Sequence, residues 1–176
     1  SFFSLVKKII INNHNCFLAG GNTQLKYIRE YKKKAKIFKY NDTIDTVKFK
    51  NNINFNIRSA EDKIKILYVG ELTPRKNVKI IIDALEILND KIYELNILGS
   101  GPEKNKLFLK AKNLKSKVNF FGFVESNKIY EFFSASDIQI VPSNREAWGI
   151  VVEEGLSSGS YLLVSDNVGA KERITL

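Results

Sequence analysis

From Ile64 onward, short apolar runs alternate with amphipathic stretches of helical length. The run "IKILYV" (64–69) is apolar at nearly every position, as a strand covered on both faces must be, and it ends at Gly70. Next, "NVKIIIDALEILND" places Val78, Ile81, Ile82, Leu85 and Leu88 on one helical stripe behind Asn77, a residue type suited to an N-cap. "YELNIL" (93–98) repeats the strand, "GSGPE" breaks it, and Leu107, Leu109, Ala111 and Leu114 mark another helix. "KVNFFGF" and "DIQIVP" read as the third and fourth strands, with "SNKIYEFFSAS" as a helix capped by Ser126 between them. "WGIVVEEGLSS" reads as a helix stopped by Gly159, and "SYLLVSD" as a fifth strand.

The series β-α-β-α-β-α-β-α-β predicts an α/β, doubly wound parallel sheet, since strands joined by crossover helices pair in parallel. Ligands of such sheets bind beyond the carboxyl ends of the strands. The segments expected there are "GELTPRKN", "GSGPE", "GFVES" and "PSNREAWG".

The first sixty residues are less regular. "NCFLAG" and "KIFKY" read as short strands, and "NTQLKYIREYKKK" as a helix capped by Asn22 or Thr23. "NDTIDTVKFKNNINFNIRSAED" is polar and Asn-rich and reads as a linker, placing a boundary near Ser59, with one unit over 1–59 and the regular one over 60–176. The 176 residues suit one buried domain plus part of another, and the start at Ser1 without any methionine marks the chain as a piece of a longer one. No apolar run approaches the roughly 18 residues that a membrane span needs. One cysteine, Cys16, allows no internal disulfide, and "SFFSLVKKII" lacks the marks of a signal peptide, so the expected setting is cytoplasmic.

Charge changes the picture only at the leading end. Residues 1–60 hold twelve Lys/Arg against three acids, which accounts for the whole net charge of +9. This surplus, densest in "KKKAK" (32–36), is either a solvated face or a patch that docks on the anionic face of a membrane. No nucleic-acid partner is expected. With one His and one Cys in the chain, no metal-ligand cluster and no cofactor are expected either.

The chemistry concentrates in "EAWGIVVEEG" (146–155). In one continuous helix, Glu146 and Glu154 would lie about 80° apart at 3.6 residues per turn. Pro142 ends the strand, however, and Gly149 permits a tight turn, so the helix is expected to begin near Trp148 or Gly149. Glu146 is then in the loop and Glu154 about one turn into the helix. Free N–H groups near Gly149, Ile150 and Val151 at a positive helix terminus make an anion site. Flanking carboxylates would repel a phosphate in contact with them, so they are expected to accept hydrogen bonds from neutral hydroxyls. A diphosphate with a diol at each end, a sugar nucleotide, has that shape. Arg75 and Lys76, just after the first strand, can meet the diphosphate, or belong to an exposed turn. Trp148 is either a site residue or packing, and Glu153 is solvated or salt-bridged.

The blocks "ILYVGELTPRKNV", "LNILGSGPEKNKL", "VNFFGFV", "ASDIQIVPSNREAWGIVVEEGLSSGSYLLVSD" and "VGAKERI" come in an order that resembles the nucleotide-binding half of retaining glycosyltransferases of the GT-B fold, family 4 in particular. The resemblance implies that Glu146, of the E-x7-E pair, holds a hydroxyl of the transferred sugar and that Glu154 accepts from the ribose diol. It implies that backbone at Trp148, Gly149 and Ile150 contacts sugar and diphosphate, that Lys76 and Arg75 neutralise the leaving diphosphate, that Gly70 closes the first strand at the site, and that Gly122, Phe123 and Val124 flank the base. It further implies a nucleotide diphosphate-sugar donor, no catalytic metal, and a saccharide or lipid-linked acceptor bound by a preceding half, of which residues 1–59 would be the tail. Where that family often has arginine, this chain has Glu71. A sugar-nucleotide epimerase, which shares the fold, and a binding module without activity are the rival readings.

Overall fold

The computed structural model describes residues 2–40, 44–50 and 62–174. In chain order its elements are α1 (Phe2–Asn12), β1 (Cys16–Ala19), α2 (Asn22–Tyr31), β2 (Lys36–Lys39), α3 (Thr46–Lys50), β3 (Ile64–Val69), α4 (Lys79–Leu88), β4 (Tyr93–Leu98), α5 (Lys104–Ala111), β5 (Lys117–Gly122), α6 (Ile129–Ser134), β6 (Ile138–Val141), α7 (Val151–Ser158) and β7 (Tyr161–Val164). Short 3₁₀ turns occupy Pro74–Lys76 and Gly169–Arg173.

Five parallel strands align in the order β5-β4-β3-β6-β7, giving the doubly wound sheet that the apolar runs predict. After β3 the chain builds outward through β4 and β5, then returns to place β6 on the other side. The switch in direction falls between β3 and β6, and a crevice opens there at their carboxyl ends. The period-2 alternation of β3 serves two cores at once. Ile66 and Tyr68 pack with Leu72, Ile81, Ile82 and Leu85 beneath α4 and α5, while Leu67 packs with Leu98, Phe133 and Phe49 on the opposite face. The leading segment has its own small core of Ile11, Ala19 and Ile28, and among the described residues β1 pairs only with β2, in parallel.

Several local expectations are corrected. Within the segment read as a linker, residues 46–50 form α3, and the Phe49 ring makes edge contacts to Tyr130 and Phe133 at 4.7 and 5.4 Å. One buried aromatic outweighs the polarity of its neighbours; residues 51–61, Ser59 among them, lie outside the described residues. Asn77 does not cap α4. It sits at φ 54°, closing the 3₁₀ turn in the left-handed conformation that asparagine tolerates better than most side chains, and Val78 precedes the helix. Ser126 is not the cap of α6, which starts later, after Lys128, and α2 follows Gly21 rather than Asn22 or Thr23. The helix after β6 starts at Val151, two residues beyond Gly149, while Gly159 ends it at φ 78° as expected. The apolar stripe of α4 is buried through Leu85, but Leu88 is exposed. In α5 only Leu107 is buried, and Leu109 faces out.

Candidate functional site

The crevice between β3 and β6 is where Arg75, Lys76 and Glu146 meet. Pro74 starts the 3₁₀ turn after β3 with its φ already set and no N–H to satisfy, which projects Arg75 and Lys76 over the strand end. The loop after β6 comes to them: the Asn144 N–H donates to the Arg75 carbonyl at 2.8 Å. The Arg75 guanidinium donates from Nη1 to the Arg145 carbonyl at 2.9 Å and to Glu146 Oε2 at 3.2 Å. Lys76 Nζ pairs with the same Glu146 oxygen. A half-buried carboxylate shared by two cations is charge-assisted and strongly oriented, so Glu146 is held in place before any ligand arrives.

The backbone of Glu146 is fixed as well. Its N–H donates to Asn167 O at 3.0 Å, and its carbonyl accepts from Gly169 N–H at 3.1 Å, a small bridge to the turn after β7. Gly149 then turns the chain into α7 at φ 94°, and a Cβ there would lie 2.9 Å from Val168 Cγ1 and 3.3 Å from Glu146 Cγ. The close approach and the positive φ both require glycine. Among the described residues the N–H groups of Gly149, Ile150 and Val151 have no backbone acceptor, which leaves a positive helix end open beside Glu146.

Trp148 resolves to packing in its side chain. The ring is buried with Val141, Val152, Val168 and Ala170, leaving only its backbone near the site. Glu153 also turns inward, and its Oε1 lies 3.0 Å from Arg173 Nε. Glu154 lies one turn into α7; its carboxylate has no hydrogen-bond partner among the described residues, and burial holds it above the usual carboxylate range. A desolvated acceptor without a donor fits a ligand hydroxyl.

Gly70, Gly99 and Gly122 form a bare edge across the ends of β3, β4 and β5. The Gly99 N–H donates to Gly122 O at 2.7 Å, and backbone of Gly70 fills the space that a Gly99 side chain would need. Beyond Gly122 the Phe123 ring is 85% exposed, whereas Val124 packs against the core beneath β3 and β4. The structure therefore brings Arg75, Lys76 and Glu146 into contact, and sets Gly149, Ile150 and Glu154 beside them by chain connection. Gly122, Phe123 and Val124 stand two strands away from β3.

Two participants were not legible in the sequence. Tyr68 is buried under the crevice and donates from its hydroxyl to the Glu71 carbonyl at 2.9 Å; burial first, then the nearby Glu146 charge, push that hydroxyl far above the ordinary tyrosine value. Its apolar strand context marked it as core alone. A cleft of about 710 Å³ also opens beside Glu146, walled by Lys7, Gln24 and Tyr27 on one side and by Arg145, Asp166 and Asn167 on the other. No local pattern joins residues so far apart in the chain. Glu71 itself is exposed, with its carbonyl rather than its carboxylate engaged. Among the described residues, no group of three His, Cys, Asp or Glu side chains gathers as metal ligands, and no helix is long and apolar enough to cross a membrane.

The chain is similar to known proteins. An uncharacterized glycosyltransferase of Methanocaldococcus jannaschii is 32% identical over 131 residues, 72% of this chain and 34% of that protein. The O-antigen biosynthesis glycosyltransferase WclY of Escherichia coli is 30% identical over 128 residues, 72% of this chain and 35% of that protein. The chain thus spans about a third of the length of the curated relatives it matches. Sucrose-phosphate synthase from Thermosynechococcus elongatus superposes on 97% of this chain and 45% of its own with a TM-score of 0.78 at 21% identity, a likeness of fold. The family model for glycosyl transferases group 1 matches residues 49–175, and the chain belongs to that family.

Proposed function

We propose that this chain binds a nucleotide diphosphate-sugar and that the protein carrying it transfers the sugar, with retention, to a saccharide or lipid-linked acceptor in polysaccharide or glycoconjugate synthesis. The carrying observation is the meeting of Glu146, Arg75 and Lys76 with an open helix end at the β3/β6 switch point. Cations and free N–H groups there suit a departing diphosphate, so leaving-group charge is stabilised without a metal or other cofactor. Glu146 and Glu154 take hydroxyls of the sugar and the ribose, and the exposed Phe123 offers a face to the base.

Isothermal titration with UDP, GDP and ADP tests the reading. At least one should bind, and none binding to the folded chain would sink it. Product analysis of the carrying protein separates transfer from epimerisation. The chain alone is expected to bind donor without turnover, because residues 1–59 read as the tail of an acceptor half. The parallel pair of β1 and β2 supports that reading: two four-residue strands are too few to stand alone, and Leu18 and Phe38 leave apolar surface uncovered. The basic surplus of the same segment suits peripheral docking on the cytoplasmic face of an anionic membrane.

A further inference from the structure

The cleft beside Glu146 carries a charge balance that the donor does not use. Its two acids are already engaged, Glu146 by Arg75 and Lys76, and Asp166 by Lys171 at 3.1 Å. Its two cations are not: among the described residues neither Lys7 nor Arg145 forms an ion pair. They also stand on opposite walls, Lys7 on α1 and Arg145 in the loop after β6, so that one guest can meet both. Around them lie groups suited to a saccharide. Lys7 Nζ stands 5.7 Å over the Tyr27 ring, which is itself braced edge-on by Tyr31 at 5.3 Å. Gln24 accepts from Gly20 N–H through Oε1, which leaves its amide donors for a ligand. Arg75, Lys76, Gly149, Ile150 and Glu154 do not line this cleft, so it lies apart from the diphosphate position and adjoins it through Asn144, Arg145 and Glu146.

We propose that the cleft binds an acceptor saccharide bearing an acidic group, phosphate or carboxylate, held between Lys7 and Arg145 with its reacting hydroxyl toward the sugar at Glu146. The proposal rests on the donor reading above, and names the class of acceptor. The guanidinium of Arg145 gives planar, paired donors to an oxyanion and Lys7 a point charge, a combination that favours an acidic group over a neutral hydroxyl.

The test is an NMR titration of the isotopically labelled 176-residue chain with glucose, glucose 6-phosphate and glucuronic acid. The acidic sugars should bind at least fivefold tighter than glucose and shift the resonances of Lys7, Tyr27, Arg145 and Asn167. Lys7→Gln with Arg145→Gln should erase that margin, while Lys7→Arg with Arg145→Lys should keep most of it, which separates charge from misfolding. A margin for glucose 6-phosphate alone assigns phosphate, a margin for glucuronic acid alone assigns carboxylate, and a margin for both assigns an acidic group of either kind. Acidic sugars no tighter than glucose, a margin that survives the double Gln variant, or shifts confined to Arg75 and Lys76 would each overturn the proposal. The nucleotide titration is independent: its failure with the acidic margin intact strikes the donor reading, and its success without the margin strikes only this one.

Discussion

The Glu154 carboxylate is half-buried and, among the described residues, without a hydrogen-bond partner, a combination that costs stability and that a ligand hydroxyl would relieve on the proposed reading. Its folded-state carboxyl is raised, so the folded chain binds more protons than the unfolded chain between the ordinary and the raised value, and stability falls as pH rises through that window. Glu154→Gln should therefore raise the melting temperature at neutral pH, with the gain disappearing below the unfolded carboxylate pKa of about 4.3. Melting curves across pH check the sign. The stabilised site should be the poorer binder: Glu154→Ala and Lys76→Ala are each expected to weaken nucleotide affinity by more than about tenfold, roughly 1.4 kcal/mol, by titration. Unchanged affinity in both would remove the assignment of these side chains. Gly149→Ala adds a Cβ against Val168 and Glu146 at positive φ, and should cost stability and affinity together.

Among the elements, α3 shows how one side chain ties a polar segment to the sheet. Phe49 is buried against Tyr130 and Phe133, while Val47, two residues earlier, is 62% exposed. Phe49→Ala should destabilise the chain by about 3 kcal/mol, and Val47→Ala by no more than about 0.5 kcal/mol, in denaturant unfolding. Equal effects would mean that α3 packs differently. The same element marks what was legible and what was not. β3 to β7 could be read because each is an apolar run bounded by turn residues, and their alternation with helices dictates a parallel sheet. α3 could not, because a lone phenylalanine among Asn, Lys and Thr has no periodicity. The caps misled for a related reason: Asn77 and Ser126 are good cap residues, but Asn77 closes the turn Pro74–Lys76 and α6 starts only after Lys128.

At the scale of the whole molecule, the site was readable as a set of loops because parallel topology alone sends them to one edge. Glu146 can be placed beside Arg75 and Lys76 on that ground, whereas the choice of Glu154 over Glu153 comes from resemblance alone; in the structure Glu153 contacts Arg173. The cleft that joins Lys7 to Arg145 depends on how the leading segment seats on the sheet, through the Asn22 N–H donating to Glu172 Oε2 at 3.1 Å and Lys39 lying 3.9 Å from Glu172, and no local rule carries that information. The uneven charge belongs to the same scale. The chain should bind vesicles containing anionic lipid at low salt and release them as salt rises toward about 0.5 M, through residues 1–60; a co-sedimentation assay with no binding at low salt would return the lysines to a solvated face.

The sharing of Glu146 by Arg75 and Lys76 has a thermodynamic consequence. On the proposed donor reading, two cations cannot serve Glu146 and a diphosphate at full strength together, so phosphate arrival would loosen their hold on Glu146 and free it for the sugar ring. Free sugar and nucleoside diphosphate then bind with positive linkage, each raising the affinity of the other by the same factor. On the same reading the cycle would run backward at its end: as the diphosphate departs, the cations would reclaim Glu146, and the sugar would lose its anchor in the same step.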